Sequence, residues 1–265
     1  MSPEPGESER AAWATEVAEK VGKLLMSSFR SGIQAERKTK GVLTALDKEA
    51  ESLIFSELKA TFPDDAMRSE EGAEIEGSSG WRWVVDPLDG TTNYVAGLPF
   101  FAVSLGCMRR ETMALGVIHA PAMDETYTVT PDGAKGPEGT MQVSGTADLS
   151  DAVVVLNKAY HPATTLWGVT RELLSRLRAF RMFGCISLDL AYVAAGRVDG
   201  IVLLPADPWD LAAAIPMLKA SGAAVADLSG RPPKQGEPSG IVAASPQLTG
   251  QILHYLQAER MAYEA

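Results

Sequence analysis

The stretch Trp83-Val84-Val85-Asp86-Pro87-Leu88-Asp89-Gly90-Thr91-Thr92-Asn93-Tyr94, residues 83–94, decides how this chain is read. Trp83, Val84 and Val85 form a buried-strand pattern that runs into Asp86. Pro87 fixes its own φ and holds Asp86 out of the helical region, which puts Asp86 at a rigid strand end. Asp89 follows across a tight turn that Gly90 permits. Two carboxylates so placed can face one pocket, with the Leu88 carbonyl between them as a further oxygen donor. Thr91 and Thr92 can cap a helix whose first N–H groups point into the same pocket.

Upstream, Trp13, Val17, Val21, Leu24 and Leu25 recur at helical spacing over residues 11–28. A second helical pattern over 44–60 carries Leu46, Ala50, Leu53, Ile54 and Leu58, with Thr44 as N-cap and Asp47 three residues on. Between them lies a basic loop or short hairpin with Arg37, Lys38 and Lys40, and Pro63 stops the second helix. Downstream the period changes: WRWVVDP, FFAVSLGCM, MALGVIHAP and ETYTVTPDG read as successive short strands. A Gly- and Pro-rich segment at 132–145 suggests a boundary between an N-terminal half, 1–145, and a C-terminal half, 146–265. In that second half AVVVLN, IVLL and AAVADL read as strands. Residues 164–177, 188–195, 209–222 and the last 20 residues read as helices. Without a clean βαβ repeat, the expected fold is layered α+β and not a doubly wound sheet.

The 265 residues are 46% hydrophobic and 22% charged, with 24 Gly and 16 Pro, which excludes disordered, collagen-like and coiled-coil classes. No apolar run approaches the ~20 residues that cross a bilayer. The first dozen residues are polar and acidic, so no secretory leader is expected. Cys107 and Cys185 are too few for a disulfide framework, and a cytoplasmic location is expected. The net charge of −10 argues against a nucleic-acid partner. It also means that a phosphorylated ligand would need positive charge from elsewhere.

Further acidic features are Ser69-Glu70-Glu71-Gly72, Asp47 and Trp209-Asp210. Hard cations take oxygen ligands, and magnesium is typically held by a few carboxylates plus substrate phosphate. The three His are scattered and neither Cys is paired, which disfavours zinc. Each acidic feature alone has an ordinary explanation: Asp-Pro and Asp-Gly make turns, and Asp210 matches a helix dipole. Their co-occurrence argues for a metal site.

With these residues in place, the chain resembles the inositol monophosphatase family of magnesium-dependent, lithium-sensitive phosphatases. WVVDPLDGTTNY is similar to that family's first signature and PWDLAAAIPMLKASGA to its second. SEEG matches the upstream Glu-Glu, VLTALD at 42–47 resembles the Val-Thr-x-x-Asp segment, and the likeness spans roughly residues 10–255. The resemblance implies an αβαβα sandwich of the sugar phosphatase type, usually a homodimer. It implies that Glu70, Asp86 and the Leu88 carbonyl hold one Mg2+, and that Asp86, Asp89 and Asp210 hold a second. Two or three ions are implied, with Mn2+ as a substitute and Li+ as an inhibitor. Thr91 would orient the attacking water, Asp47 would accept the threonine proton and Glu70 would assist. Gly90 and Thr91 N–H groups would hold the phosphate, with Asp89, Gly184, Cys185, Ile186, Leu203 and Asp210 around the rest of the substrate. The implied activity is phosphomonoester hydrolysis of a small polyol or sugar phosphate such as inositol 1-phosphate. Fructose 1,6-bisphosphate, histidinol phosphate and a nucleotide 3′-phosphate are alternatives, as is a non-catalytic metal-binding relative.

Four positions depart from the pattern. Leu203 stands where the family usually offers a Glu to substrate hydroxyls, and Ile186 is bulkier than the usual Ala. The Gly-rich hairpin is short, and Pro216 should kink or shorten the second-signature helix. Thr92, where the nucleotide branch has Lys, speaks against that branch. Cys185 as a nucleophile is a further reading, with no His near it in sequence.

Overall fold

Trp13, Val17, Val21 and Leu25 recur every four residues, so a helix carries all four on one face. That helix is α1 (Glu7–Ser28), and the four side chains are buried. Leu46, Ala50, Ile54 and Leu58 form the same stripe on α2 (Ala45–Thr61). Between the helices, β1 (Glu36–Arg37) and β2 (Val42–Leu43) pair antiparallel, Arg37 opposite Val42. A computed structural model describes residues 6–31, 36–37, 42–110, 112–234 and 236–264. Lys38 and Lys40 of the basic loop lie outside the described residues.

The first large sheet follows. Its strands are β3 (Ala66–Ser69), β4 (Glu74–Ile75), β5 (Trp81–Asp89), β6 (Ala102–Arg109), β7 (Thr112–Ala120), β8 (Glu125–Thr130), β9 (Gly133–Gly136) and β10 (Gly139–Thr140). The short helix α3 (Thr91–Val95) interrupts them after β5. The order is β10-β9-β8-β7-β6-β5-β3-β4, antiparallel except where β3 runs parallel to β5. The second sheet alternates with helices: β11 (Val153–Asn157), α4 (Ala163–Leu174), β12 (Ala179–Arg181), α5 (Ile186–Ala194), β13 (Gly200–Ala206), α6 (Pro208–Leu211), α7 (Ala214–Ala220), β14 (Ala224–Ala226), β15 (Ser239–Ala244) and α8 (Pro246–Glu264). Its order is β12-β11-β13-β15-β14.

Three clusters of buried side chains define five layers. The α1 and α2 stripes pack on one face of the first sheet, around Trp83, Val85, Leu105 and Val117. The opposite face, with Ile118, Tyr127 and Val129, meets α5 to α7 and then Val155, Ile201, Leu203 and Ile241 of the second sheet. The far face of the second sheet, with Val154, Val202 and Val242, is covered by Leu166 and Leu173 of α4 and Leu248 and Ile252 of α8. The result is the layered αβαβα sandwich.

The structure differs from the sequence reading at several points. β5 does not end at Asp86; it continues to Asp89 through a register shift against β6 between these two residues. Thr91 and Thr92 are not caps. The N-cap is Gly90, at φ 85° and with no side-chain cap bond, and the threonines begin the helix. The expected helix at 209–222 is two helices. Pro216 has no N–H to give the residue 212 carbonyl and its ring crowds that carbonyl, so the helix restarts at Ala214 with Pro216 in the first turn. β3, β4, β12 and β15 were not anticipated. The first three have four residues or fewer, while β15 is an uninterrupted buried run lying between β13 and β14.

Candidate active site

Three segments bring carboxylates to one place, each held by a backbone feature of its own. Asp86 sits before the β5 bulge and accepts the Leu88 N–H at 3.0 Å on Oδ1. Asp89 ends the strand, and its Oδ2 takes the Ser187 N–H at 2.6 Å, the Ser187 hydroxyl at 2.7 Å and the Cys185 thiol at 3.2 Å. Asp210 closes a capping box at the start of α6, its Oδ2 accepting the Asp207 N–H at 2.9 Å. One oxygen of each, within 4.8 Å of the others, forms a buried triad. Glu70, in the turn after β3, lines the same cleft.

Burial in first place, and the neighbouring carboxylates after it, pushes Asp86 and Asp210 well above the usual carboxylate range. Glu70 adds to both shifts and hydrogen-bonds Asp86. Burial also raises Asp89, with the Ser187 and Cys185 donors opposing the rise. Like charges crowded in low dielectric are unfavourable unless a cation or a proton is shared among them. The Oδ1 atom of Asp210 is fully buried without a hydrogen-bond partner among the described residues. An oxygen-only donor set, each carboxylate held by hydrogen bonds from the backbone, suits a hard divalent cation such as magnesium.

Asp47, three residues after the Thr44 N-cap, is buried at 2% exposed. Its Oδ2 closes the α2 capping box, accepting the Thr44 N–H at 2.7 Å and the Thr44 hydroxyl at 2.5 Å. That leaves Oδ1 directed at Thr91 Oγ1, 3.3 Å away. The same Thr91 hydroxyl lies 2.9 Å from the Leu88 carbonyl. Gly90 is required here twice over. It adopts positive φ, and a Cβ would stand 3.0 Å from the Phe100 carbonyl and 3.1 Å from Cys185 Cβ.

The cleft has a volume of about 460 Å³. Gly90, Thr91, Gly184 and Ile186 line it, together with the turn that follows β11. Three of the residues expected around the substrate do not line the cleft: Asp210, fully buried in the triad, Leu203 and Cys185. The Leu203 side chain is fully buried in the core between the sheets, because β13 is a central strand and Leu203 faces the α5 layer. Cys185 is fully buried as well; its thiol donates to Asp89, and burial, then the Asp89 charge, push it upward, so it is a neutral donor and not a thiolate. Sequence reasoning missed Ser187, Asn157, Lys158 and Tyr160. Ser187 carried no sequence signal; Asn157 ends the AVVVLN strand and Lys158 and Tyr160 follow it, and a position at a strand's carboxyl end was the available clue. Burial, then Asp210, Glu70, Asp86 and Asp89, push the Tyr160 phenol far up, which places it beside the carboxylates as a neutral group.

A layered sandwich with buried carboxylates gathered at a cleft defines a candidate metal-binding site. Residues 7–261 match the model of the inositol monophosphatase family, and the chain belongs to that family. That family is one of metal-dependent phosphatases. The chain is 37% identical over 226 residues to the fructose-1,6-bisphosphatase/inositol-1-monophosphatase of Thermotoga maritima, covering 84% of this chain and 86% of that one. It is 34% identical over 225 residues to the Nus factor SuhB of Escherichia coli, covering 82% and 84%. The solved Thermotoga maritima IMPase superposes with a TM-score of 0.88 at 31% identity, over 96% of this chain and 99% of that one.

Proposed function

We propose that the protein is a magnesium-dependent phosphomonoesterase that hydrolyses a small polyol or sugar phosphate in the cytoplasm. The observation that carries this reading is the buried Asp86, Asp89 and Asp210 triad with its unpartnered Asp210 oxygen. Glu70, Asp86, the Leu88 carbonyl, Asp89 and Asp210 would hold the cations. Bound there, magnesium lowers the pKa of water and stabilises the charge of the leaving alkoxide. Thr91 Oγ1 would orient the attacking water and take its proton while passing its own hydroxyl proton to Asp47 Oδ1. The Gly90 and Thr91 N–H groups bind the reacting phosphoryl oxygens, and Ile186 and Gly184 bound the rest of the substrate. The charge difficulty of an acidic protein with an anionic substrate resolves through the same carboxylates, which recruit cations that attract phosphate.

Phosphate release from inositol 1-phosphate, fructose 1,6-bisphosphate, histidinol phosphate and adenosine 3′,5′-bisphosphate, with magnesium and with chelator, tests the reading. Magnesium-dependent release from at least one supports it; no release from any would contradict it. Identity of 34% to a Nus factor favours a second reading, in which a partner-binding role persists without turnover. Asp86→Asn separates the two, since it removes hydrolysis while leaving a binding surface intact. Exposed Val95 and Leu98 beyond the start of α3, and Trp167, Phe180 and Met182 at the open β12 edge, support a homodimer. Light scattering is expected to give twice the chain mass of 28.2 kDa.

A further inference from the structure

Leu203 cannot hydrogen-bond a substrate and does not reach the cleft, so recognition of the non-reacting end of the substrate must come from another wall. The end of β11 and the turn after it, Asn157-Lys158-Ala159-Tyr160, supply that wall, which is firmly braced. Asn157 donates to Asp189 Oδ2 at 2.7 Å and accepts the Ala159 N–H at 2.8 Å. The His161 N–H bonds the Lys158 carbonyl at 2.9 Å, and its ring Nε2 lies 3.1 Å from the Pro205 carbonyl. Ala159 is held at φ 47°, a left-handed conformation costly for a residue with a Cβ. Backbone strain of this kind persists only where surrounding contacts over-determine it, and it gathers at ligand sites.

The braced turn presents one cation. Lys158 is the sole basic residue among the described residues lining the cleft, which otherwise carries Glu70, Asp86 and Asp89. Among the described residues it forms no ion pair, and its Nζ bends back to the Ala159 carbonyl at 3.3 Å, a long contact that leaves donors available. An ammonium held at the wall of a cleft, in a chain of net charge −10, is a point-charge receptor for an anion.

We propose that Lys158 is a specificity-determining residue that takes a second anionic group, phosphate or carboxylate, at the non-reacting end of the substrate. The preferred substrates are therefore small phosphomonoesters with a second negative charge, and not neutral polyol monophosphates. The assignment rests on the phosphatase reading above.

The test compares paired substrates on the full chain with magnesium: fructose 1,6-bisphosphate against fructose 1-phosphate, and 3-phosphoglycerate against glycerol 3-phosphate. Wild type should prefer the doubly anionic member of at least one pair. Lys158→Ala should lower that preference, as a ratio of kcat/KM, by about tenfold or more, chiefly through KM, and Lys158→Arg should restore most of it. The fructose pair reports a phosphate site and the glycerol pair a carboxylate site. Equal losses on both members of each pair, or no loss on either, would overturn the assignment. Should wild type hydrolyse none of the four, the phosphatase reading is judged separately, by release from the wider panel that includes inositol 1-phosphate. Calorimetric binding of the same pairs then decides Lys158: tighter binding of the dianionic member, lost in Lys158→Ala, supports it, and equal binding overturns it.

Discussion

Ser187 gives Asp89 two hydrogen bonds, one from its backbone at 2.6 Å and one from its hydroxyl at 2.7 Å. Nothing in the sequence marked this serine, because the contact joins residues 98 positions apart through the start of α5. The cluster itself was legible, since Asp86 and Asp89 lie in one tight segment and Asp47, Glu70 and Asp210 each sit in a short motif. Removing the hydroxyl should loosen Asp89 while the backbone donor remains. Ser187→Ala is therefore expected to weaken magnesium binding about tenfold, the lower end for a group supporting a metal ligand. Isothermal titration would measure it, and an unchanged affinity would reject a positioning role. His119 carries a pH effect at the same scale. Burial, aided by the Lys23 charge and opposed by Glu19, Asp124 and the Glu125 backbone, lowers its pKa below the ordinary value of 6.5. The ring lies beneath α1, where a Cβ on Gly22 would come within 2.6 Å of it, and its Nδ1 meets Thr126 Oγ1 at 2.9 Å. A depressed histidine binds its proton more readily in the unfolded chain. Its contribution is thus complete above the unfolded pKa and is lost as pH falls through 6.5 toward the lower folded value. Melting temperatures with saturating magnesium should fall between about pH 7 and pH 5 less in His119→Gln than in wild type.

At the scale of elements, the break between α6 and α7 sets where Asp210 stands. Pro216 announced a disturbance in the sequence, but its consequence depends on the sheet below. Ala212 and Ala213 sit directly on Gly106 and Gly116. A Cβ on Gly106 would lie 2.5 Å from Ala212 Cβ and 2.9 Å from the Ala213 nitrogen, and one on Gly116 would lie 2.7 Å from Ala213 Cα. In sequence these glycines lie inside the FFAVSLGCM and MALGVIHAP strand patterns with no role marked for them, and here each makes room for a helix. Gly106→Val should force α6 off the sheet, cost about 1–3 kcal/mol through overpacking, and weaken magnesium binding by moving Asp210. Gly168, inside α4, is the control, because a Cβ there would meet nothing within 4 Å. Gly168→Ala should stabilise by about 0.5–1 kcal/mol. Urea denaturation with a parallel magnesium titration distinguishes the two effects; equal behaviour of both variants would argue against the seating role. The long amphipathic helices and the four consecutive antiparallel strands were legible because their periods repeat over many residues. The short strands β3, β4 and β12 exist only through their neighbours, and β15 lacks the alternation that marks a half-exposed strand.

Over the whole molecule, the layer between the sheets joins the two ends of the chain. Ile118, Tyr127 and Val129 of the first sheet pack in one cluster with Val155, Ile201 and Ile241 of the second. We therefore propose that the halves 1–145 and 146–265 fold as one cooperative unit, so that either expressed alone stays unfolded by circular dichroism. A stably folded half would refute that. The site has the same origin, for β5, α6 and the turn after β3 supply its carboxylates, and no single segment could bring them together. Among the described residues no helix is long and apolar enough to cross a membrane. The most direct test of the proposed chemistry is phosphate release from the best substrate as magnesium is titrated, in wild type and in Asp210→Asn. Release should rise from none to saturation in wild type and fall by at least about 100-fold in the variant, the upper end of what even a supporting residue costs. Release that persists in chelator, or a variant as active as wild type, would contradict a reaction built on the buried carboxylates.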